Sequence, residues 1–332
     1  MHDDTPTVAR HPRRRELLAL AAASALARPA FAQGASAPLR VILPLGAGSG
    51  VDTILRSAQN ALSRALGGQA VVIENLPGAG GITGTQALVR APADGHTVAV
   101  ISNNHAVNPS VYKTLPYDSL ADIMPICVVG GSPFVLVVNP AKVPARNAKD
   151  MQALLQSRPG QFNMGSSGNG TIIHLAGEMF VDALDVKVTH IPYKGMGPMM
   201  VDIISGQVEF GVGAVPAVQG HLAAGRMRAI GIMGAQRVAS LPDLPTIAEQ
   251  GFPAVDVAGW FAMVGPKGLP PAQVRRLHDA VVAAFADPEV KAAMAKQDNF
   301  IQPMAPEASA AFLRTEQDRY ARLVAKAGIK LD

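Results

Sequence analysis

Gly165-Ser166-Ser167-Gly168-Asn169-Gly170-Thr171 runs directly into Ile172-Ile173-His174-Leu175-Ala176-Gly177-Glu178-Met179-Phe180, and this junction decides how the chain is read. Ahead of it, Gln161-Phe162-Asn163-Met164 has the make-up of a short strand. Behind it, Ile172, Leu175, Ala176, Met179 and Phe180 recur at helical spacing and form one apolar stripe. A small-residue loop that feeds a helix start leaves free backbone N–H groups at the positive end of the helix dipole. Such a junction holds an anion without a basic side chain. The plainer alternative is a glycine-rich turn closed by a Ser or Asn cap.

The pattern extends in both directions. Downstream come a strand over 186–191, a helix over 198–205, a strand over 208–212, a helix over 217–223 and a strand over 228–233. Upstream, a helix over 148–157 follows two strands, 123–129 and 134–139. The chain opens with a strand over 40–44, a helix whose face is Ile54, Leu55, Ala58, Leu62 and Leu66, and a strand over 69–74. That order predicts a parallel pair with a right-handed crossover. A helix over 85–91 and a strand over 97–102 follow, the latter ending in Ser102-Asn103-Asn104-His105. Polar residues at the carboxyl end of a parallel strand face the crevice in which α/β sheets bind ligands. A strand over 257–264 and three helices, 270–286, 287–297 and 306–327, close the chain. Alternating β and α elements with a mid-chain excursion predict two α/β lobes joined by two crossover strands. That is a two-lobed periplasmic binding protein architecture of type II-like form, closing as a hinge on its ligand. The expected lobes are 38–136 with 259–332, and 137–258.

The loop Leu45-Gly46-Ala47-Gly48-Ser49-Gly50-Val51-Asp52 carries two readings. Gly46 and Gly48 begin a dinucleotide fingerprint, and Glu74 ends the next strand where a ribose-binding acid belongs. The third glycine is displaced, however, with Val51 in its place. In the other reading the loop backbone faces a small anion across a cleft.

The N-terminal residues have the pattern of an export signal. Arg13-Arg14-Arg15 precedes an apolar segment of eleven residues, 17–27, too short for a bilayer core of about 30 Å. Ala30-Phe31-Ala32 is an A-x-A cleavage site, so 1–32 is a signal peptide and the mature chain starts at or near Gln33 in the periplasm. The arginine run also resembles a twin-arginine signal, which leaves the export route open. Residues 1–32 hold five arginines and three acids, so the net charge of +4 falls to +2 beyond them. Charges of both signs are interspersed, with no basic stripe of the kind that nucleic acid requires. The one cysteine, Cys127, lies in an apolar run and forms neither an internal disulfide nor a cysteine metal cluster.

Catalytic patterns are missing: no G-x-S-x-G elbow and no H-E-x-x-H occur. Glu178 follows His174 by four residues, a spacing that most often marks a local hydrogen bond. His190 alternates with Ile191 in a strand and has a structural position. Lys194 reads equally as a ligand residue or a solvated turn residue. Asp202 lies where it can tie back to the Tyr193-Lys194-Gly195 turn.

Taken together, SSGNGTxxHLAGEMF over 166–180 and HIPYKG over 190–195 resemble the Bug extracytoplasmic solute receptors, the binding proteins of tripartite tricarboxylate transporters. The resemblance covers nearly the whole chain after about residue 35. It implies a non-enzymatic receptor without cofactor or metal, a small-carboxylate ligand, membrane permease subunits as partners, no nucleic acid, and a monomer. In that family the ligand carboxylate is held by backbone N–H groups, small hydroxyls and ordered waters from one loop per lobe. The matching positions are Gly48 and Ser49 with Asp52, and Ser166, Ser167, Gly168, Gly170 and Thr171. Ser102, Asn103, His174, Tyr193, Lys194 and Asp202 complete the expected site. Ala47 stands where the family pattern has proline, and Gly213 stands where many relatives carry aspartate; the latter favours a ligand with no amine at that end. An exported nucleotide-cofactor oxidoreductase and a carboxylate sensor for a membrane signalling partner are the alternatives.

Overall fold

The protein is described by a computed structural model that covers residues 37–47 and 49–328. The expected signal peptide and Gly48 lie outside the described residues. From Pro38 onward the chain forms one compact unit.

Two β-sheets share a strand. The first is built from β1 (Leu39–Leu43), β2 (Val71–Asn75), β3 (Thr97–Ser102), β9 (Ala258–Pro266) and the start of β4 (Ile123–Val138), in the order β2-β1-β3-β9-β4. β1 pairs in parallel with both β2 and β3, as the opening β-α-β pattern predicts. β9 then runs antiparallel between β3 and β4. The second sheet continues from the end of β4 through β7 (Phe210–Ala214), β5 (Asn163–Ser166) and β6 (Thr189–Pro192). β8 (Arg228–Ile232) pairs antiparallel with the same end of β4, and the short β10 (Phe300–Ile301) with its middle.

The sequence reads 123–129 and 134–139 as separate strands because Gly130, Gly131 and Pro133 break the apolar run. The chain instead stays extended and absorbs the interruption in two register shifts, one between Pro125 and Cys127 and one between Val128 and Gly130. The glycines are needed there: a Cβ on Gly131 would sit 1.9 Å from the carbonyl oxygen of Gly259, so β4 and β9 cross too closely for any side chain.

Helices cover both faces of the first sheet. α1 (Gly50–Ala65), α8 (Pro271–Ala286) and α9 (Pro288–Lys296) bury one face, where Leu39, Val41, Leu43, Val98 and Val100 meet Ile54, Leu62, Leu277 and Val281. The alternate residues Ile42, Ala99 and Ile101 point to the other face, as the two-residue period of a strand requires. α2 (Ile82–Val89), α3 (Asn103–Val111) and the long α10 (Pro306–Ala327) lie on that side. The second sheet is clothed by α4 (Ala148–Ser157), α5 (Ile172–Ala183), α6 (Met196–Ser205) and α7 (Val215–Ala223). α10 packs on α3 and β4 and also reaches α5, where Lys326 pairs with Asp182 at 2.6 Å.

α3 is absent from the sequence reading. Asn103, Asn104, Asn108 and Pro109 are poor helix formers, and this stretch reads as the polar end of a strand. Its helix is held by tertiary hydrogen bonds. Asn103, 1 % exposed, accepts from the Trp260 N–H at 2.8 Å and donates to the Ala258 carbonyl at 3.0 Å and the Tyr320 hydroxyl at 2.7 Å. It thus clamps β9 and α10 to the start of α3. Asn103→Ala strands a buried N–H and a buried carbonyl, and is expected to cost on the order of 3 kcal/mol, read as a fall in the urea midpoint with unchanged slope.

Candidate functional site

The glycine-rich junction is where the sequence places it. β5 ends at Ser166, the loop turns through Gly168 and Gly170 at φ 133° and 68°, and Thr171 caps α5. Those positive angles are why glycine occupies both positions. The Thr171 hydroxyl accepts from the His174 N–H at 3.3 Å, donates to the Gly168 carbonyl at 2.8 Å and lies 3.1 Å from the Ser167 hydroxyl. The loop leans on the turn after β6: the N–H of Tyr193 donates to Ser166 at 3.0 Å and that of Gly195 to Ser167 at 3.2 Å.

Two of the expected anion donors are spent inside the loop. The Gly170 N–H donates to His174 Nδ1 at 3.2 Å, and the Thr171 N–H to the Gly168 carbonyl at 3.3 Å. The next N–H, that of Ile172, is met from the first sheet: Asn104 Oδ1 accepts it at 2.9 Å. Asn104 is the residue that the sequence reading passes over in favour of its neighbours Ser102 and Asn103. Once Asn103 is fixed inward, α3 turns Asn104 toward the loop, an orientation legible only if the helix is recognised. Ser102 stands at the cap position of α3 without a side-chain capping bond.

Around the loop, His174 is 6 % exposed and both its ring nitrogens face protein, Nδ1 toward Gly170 and Nε2 toward Glu178 Oε1 at 3.4 Å. The spacing of His174 and Glu178 therefore gives the local pair expected of it. The His190 ring stacks on His174 at 3.6 Å, and its Nε2 is 2.6 Å from Ser166 Oγ. Burial, and then the neighbouring His174, lower the pKa of His190 to about 4, against the pull of Glu178. Asp202 accepts from the Tyr193 hydroxyl at 2.7 Å, which ties α6 back to the turn. Lys194 is exposed.

The first-sheet loop is arranged differently. Ser49 caps α1 by accepting the Asp52 N–H at 3.3 Å. The Asp52 carboxylate is 3 % exposed; it accepts from Arg56 at 3.0 Å and from Asn75 at 3.0 Å, while Asn75 also donates to the Leu45 carbonyl at 3.1 Å. Asp52 thereby fixes the shape of the loop. Glu74, which a dinucleotide site needs for a ribose, is bonded to Arg40 at 2.5 Å. Among the described residues no group of three or more His, Cys, Asp or Glu could hold a metal. No helix of the described residues is long and apolar enough to cross a membrane. Cys127 is buried, and burial raises its thiol pKa to about 11, so it is unreactive.

Residues 54–329 match the model of the tripartite tricarboxylate transporter family receptor, TctC. The chain belongs to this family. It is 34 % identical over 296 residues to the protein BugT of Bordetella pertussis, spanning 89 % of this chain and 90 % of that one. Among solved structures, R. palustris Rpa4515 with adipate superposes with a TM-score of 0.82 at 30 % identity, covering 88 % of this chain and 98 % of that one. MatC from Rhodopseudomonas palustris with bound malate gives 0.78 at 25 % identity, covering 86 % and 98 %. The fold is the mixed α/β fold of periplasmic binding proteins, and the TctC family is one of receptors, not enzymes.

In this TctC-family receptor the Tyr193 phenol is pushed up to about 12, by burial first and then by its bond to Asp202 and the negative charge there. The shift favours the neutral phenol in the fold, so its stabilising effect is complete below the ordinary value of 10 and is lost as pH rises through about 12. Asp202→Asn removes the charge. It is expected to let Tyr193 ionise at lower pH, seen as an earlier rise in tyrosinate absorbance that Tyr193→Phe abolishes.

Proposed function

We propose that this receptor captures a small carboxylate in the periplasm and delivers it to the membrane subunits of a tripartite tricarboxylate-type transporter. In this reading 38–136 with 259–332 forms one lobe and 137–258 the other, and the segment 1–32 is an export signal cut after Ala32. The observation that carries it is the Asn104 bond. A carbonyl oxygen from the first-sheet side already accepts the Ile172 N–H, at the start of α5, beside the hydroxyls of Ser167 and Thr171. A ligand carboxylate oxygen has the same acceptor chemistry with a full charge, and takes that donor from Asn104 with a gain in bond strength. The relatives with adipate and with malate supply the ligand class. Bridging waters complete such a site at little cost.

Gly213 bears on the far end of the ligand. A Cβ there would meet Met200 Cε at 2.6 Å and Val218 Cγ1 at 2.8 Å, so thioether and methyl groups fill the space into which a longer side chain would project. The lack of a carboxylate at this position supports an acid without an amine.

Titration with adipate, malate and a wider panel of small acids, followed by calorimetry and thermal unfolding, tests the proposal. A ligand that binds only the folded state stabilises it by about 2.7 kcal/mol at a hundredfold excess over Kd. Thr171→Asp retains an acceptor for the His174 N–H and places a negative charge at a helix start, where it is mildly favourable. It loses the hydroxyl donated to Gly168. The variant is expected to stay within about 1 kcal/mol of the parent without ligand, yet to lose the ligand-induced rise in Tm. A full rise in Thr171→Asp places the ligand elsewhere; no rise with any acid in the parent protein overturns the carboxylate reading.

A further inference from the structure

His174 and His190 pack against the loop, and each is linked to one of the loop's two left-handed glycines. His174 Nδ1 accepts the Gly170 N–H at 3.2 Å, so that nitrogen carries no proton and the proton of the neutral ring sits on Nε2, toward Glu178. His190 Nε2 is bonded to Ser166 Oγ at 2.6 Å. Ser166, 0 % exposed, in turn accepts the Gly168 N–H at 3.2 Å and donates to the Gly168 carbonyl at 3.2 Å. The two rings lie 3.6 Å apart and within 8° of parallel. Gly168 and Gly170 have no side chains of their own to fix them, and their wide conformational freedom has to be restrained from outside.

We propose that His174 is a positioning residue of the ligand site: its unprotonated Nδ1 holds the Gly170 N–H and so fixes the loop that presents Ser167 and Thr171, while His190 fixes the Gly168 end through Ser166. This rests on the reading of the loop as the carboxylate-binding element. A proton on Nδ1 turns an acceptor into a donor facing another donor, and the Gly170 bond is lost. The stacked pair also resists carrying two charges at 3.6 Å in a buried setting. Glu178, on α5 itself, is the acidic group facing the pair. β5 contributes the neutral Ser166. α10 contributes Lys326, which is paired with Asp182 near the far end of α5. The depressed pKa of His190 has the matching sign: the fold favours the neutral ring, and that contribution is lost as pH falls from 6.5 through about 4.

Amide hydrogen exchange of the loop at neutral pH tests this without any ligand. His174→Asn puts Oδ1 where Nδ1 was and cannot be protonated; His174→Gln puts its carboxamide near the position of Nε2 and leaves Gly170 unbonded. At neutral pH the wild-type Gly170 amide is expected to be about tenfold better protected than in His174→Gln, the worth of roughly one hydrogen bond. His174→Asn keeps this protection, and His174→Gln lacks it. If Asn and Gln behave alike, the ring acts by packing and the proposal fails. Should a variant not fold, the wild-type protein decides: a scalar coupling across the hydrogen bond from the Gly170 N–H to His174 Nδ1 is expected, and its absence overturns the proposal. Calorimetry with adipate and malate on the same proteins separates the two ideas. Absence of binding by the wild-type protein counts against the carboxylate ligand, whereas the exchange data stand or fall by themselves.

Discussion

Strand β4 belongs to two sheets at once, and the rest of the molecule is arranged to let it do so. Its first part pairs with β9 and its last residues pair with β7 and β8. A strand can serve both sheets only if the chain passes the crossing with nothing bulky in the way, hence the bare Gly131 against the backbone of Gly259. The crossing is braced from one side by a polar cluster. Asn103 holds the backbone of β9, and the Trp260 indole donates to the buried Glu316 at 2.8 Å. Buried polar groups of this kind tolerate few geometries, which is why they fix one arrangement of β9, α3 and α10.

The same crossing sets the place of the site. Because α3 follows β3 directly, Asn103 and Asn104 sit side by side with opposite duties, one locked into the crossing and the other presented to the start of α5. The loop there is built from small residues whose hydrogen bonds are made by buried side chains beneath it. The Ser167 and Thr171 hydroxyls meet the start of α5 there, a neutral junction of the kind that helix starts offer to anions.

Much of this was legible in the sequence. The order of strands and helices follows from apolar period, and the start of α5 was marked by its small residues and by the stripe behind them. The tie between Asp202 and the Tyr193 turn followed from their placement. What was not legible depends on contacts far apart in the chain. α3 contains residues of low helix propensity and a proline, and it exists because Trp260, Ala258 and Tyr320 meet Asn103. β4 reads as two strands because Gly130, Gly131 and Pro133 interrupt it locally, whereas the strand is continued by partners more than a hundred residues away. The donors of Gly170 and Thr171 were expected to be free, whereas the buried His174 ring takes up the first and the Gly168 carbonyl the second, closures that the glycine pattern does not reveal.

The position of β9 has a consequence for the order in which the protein is assembled. The strands and helices of the second sheet follow one another without interruption from β4 to β8, so its set of strands is complete once residue 232 is available. The first sheet is not. Between β3 and β4 there is a gap one strand wide that only β9 fills, and α8 and α10, which cover the two faces, come later still. A chain delivered from its N-terminus therefore holds two unpaired strand edges open across the delivery of the entire second half. Such edges invite pairing with other chains, so the interval between β4 and β9 is the period in which the nascent protein most needs to be kept apart from its neighbours.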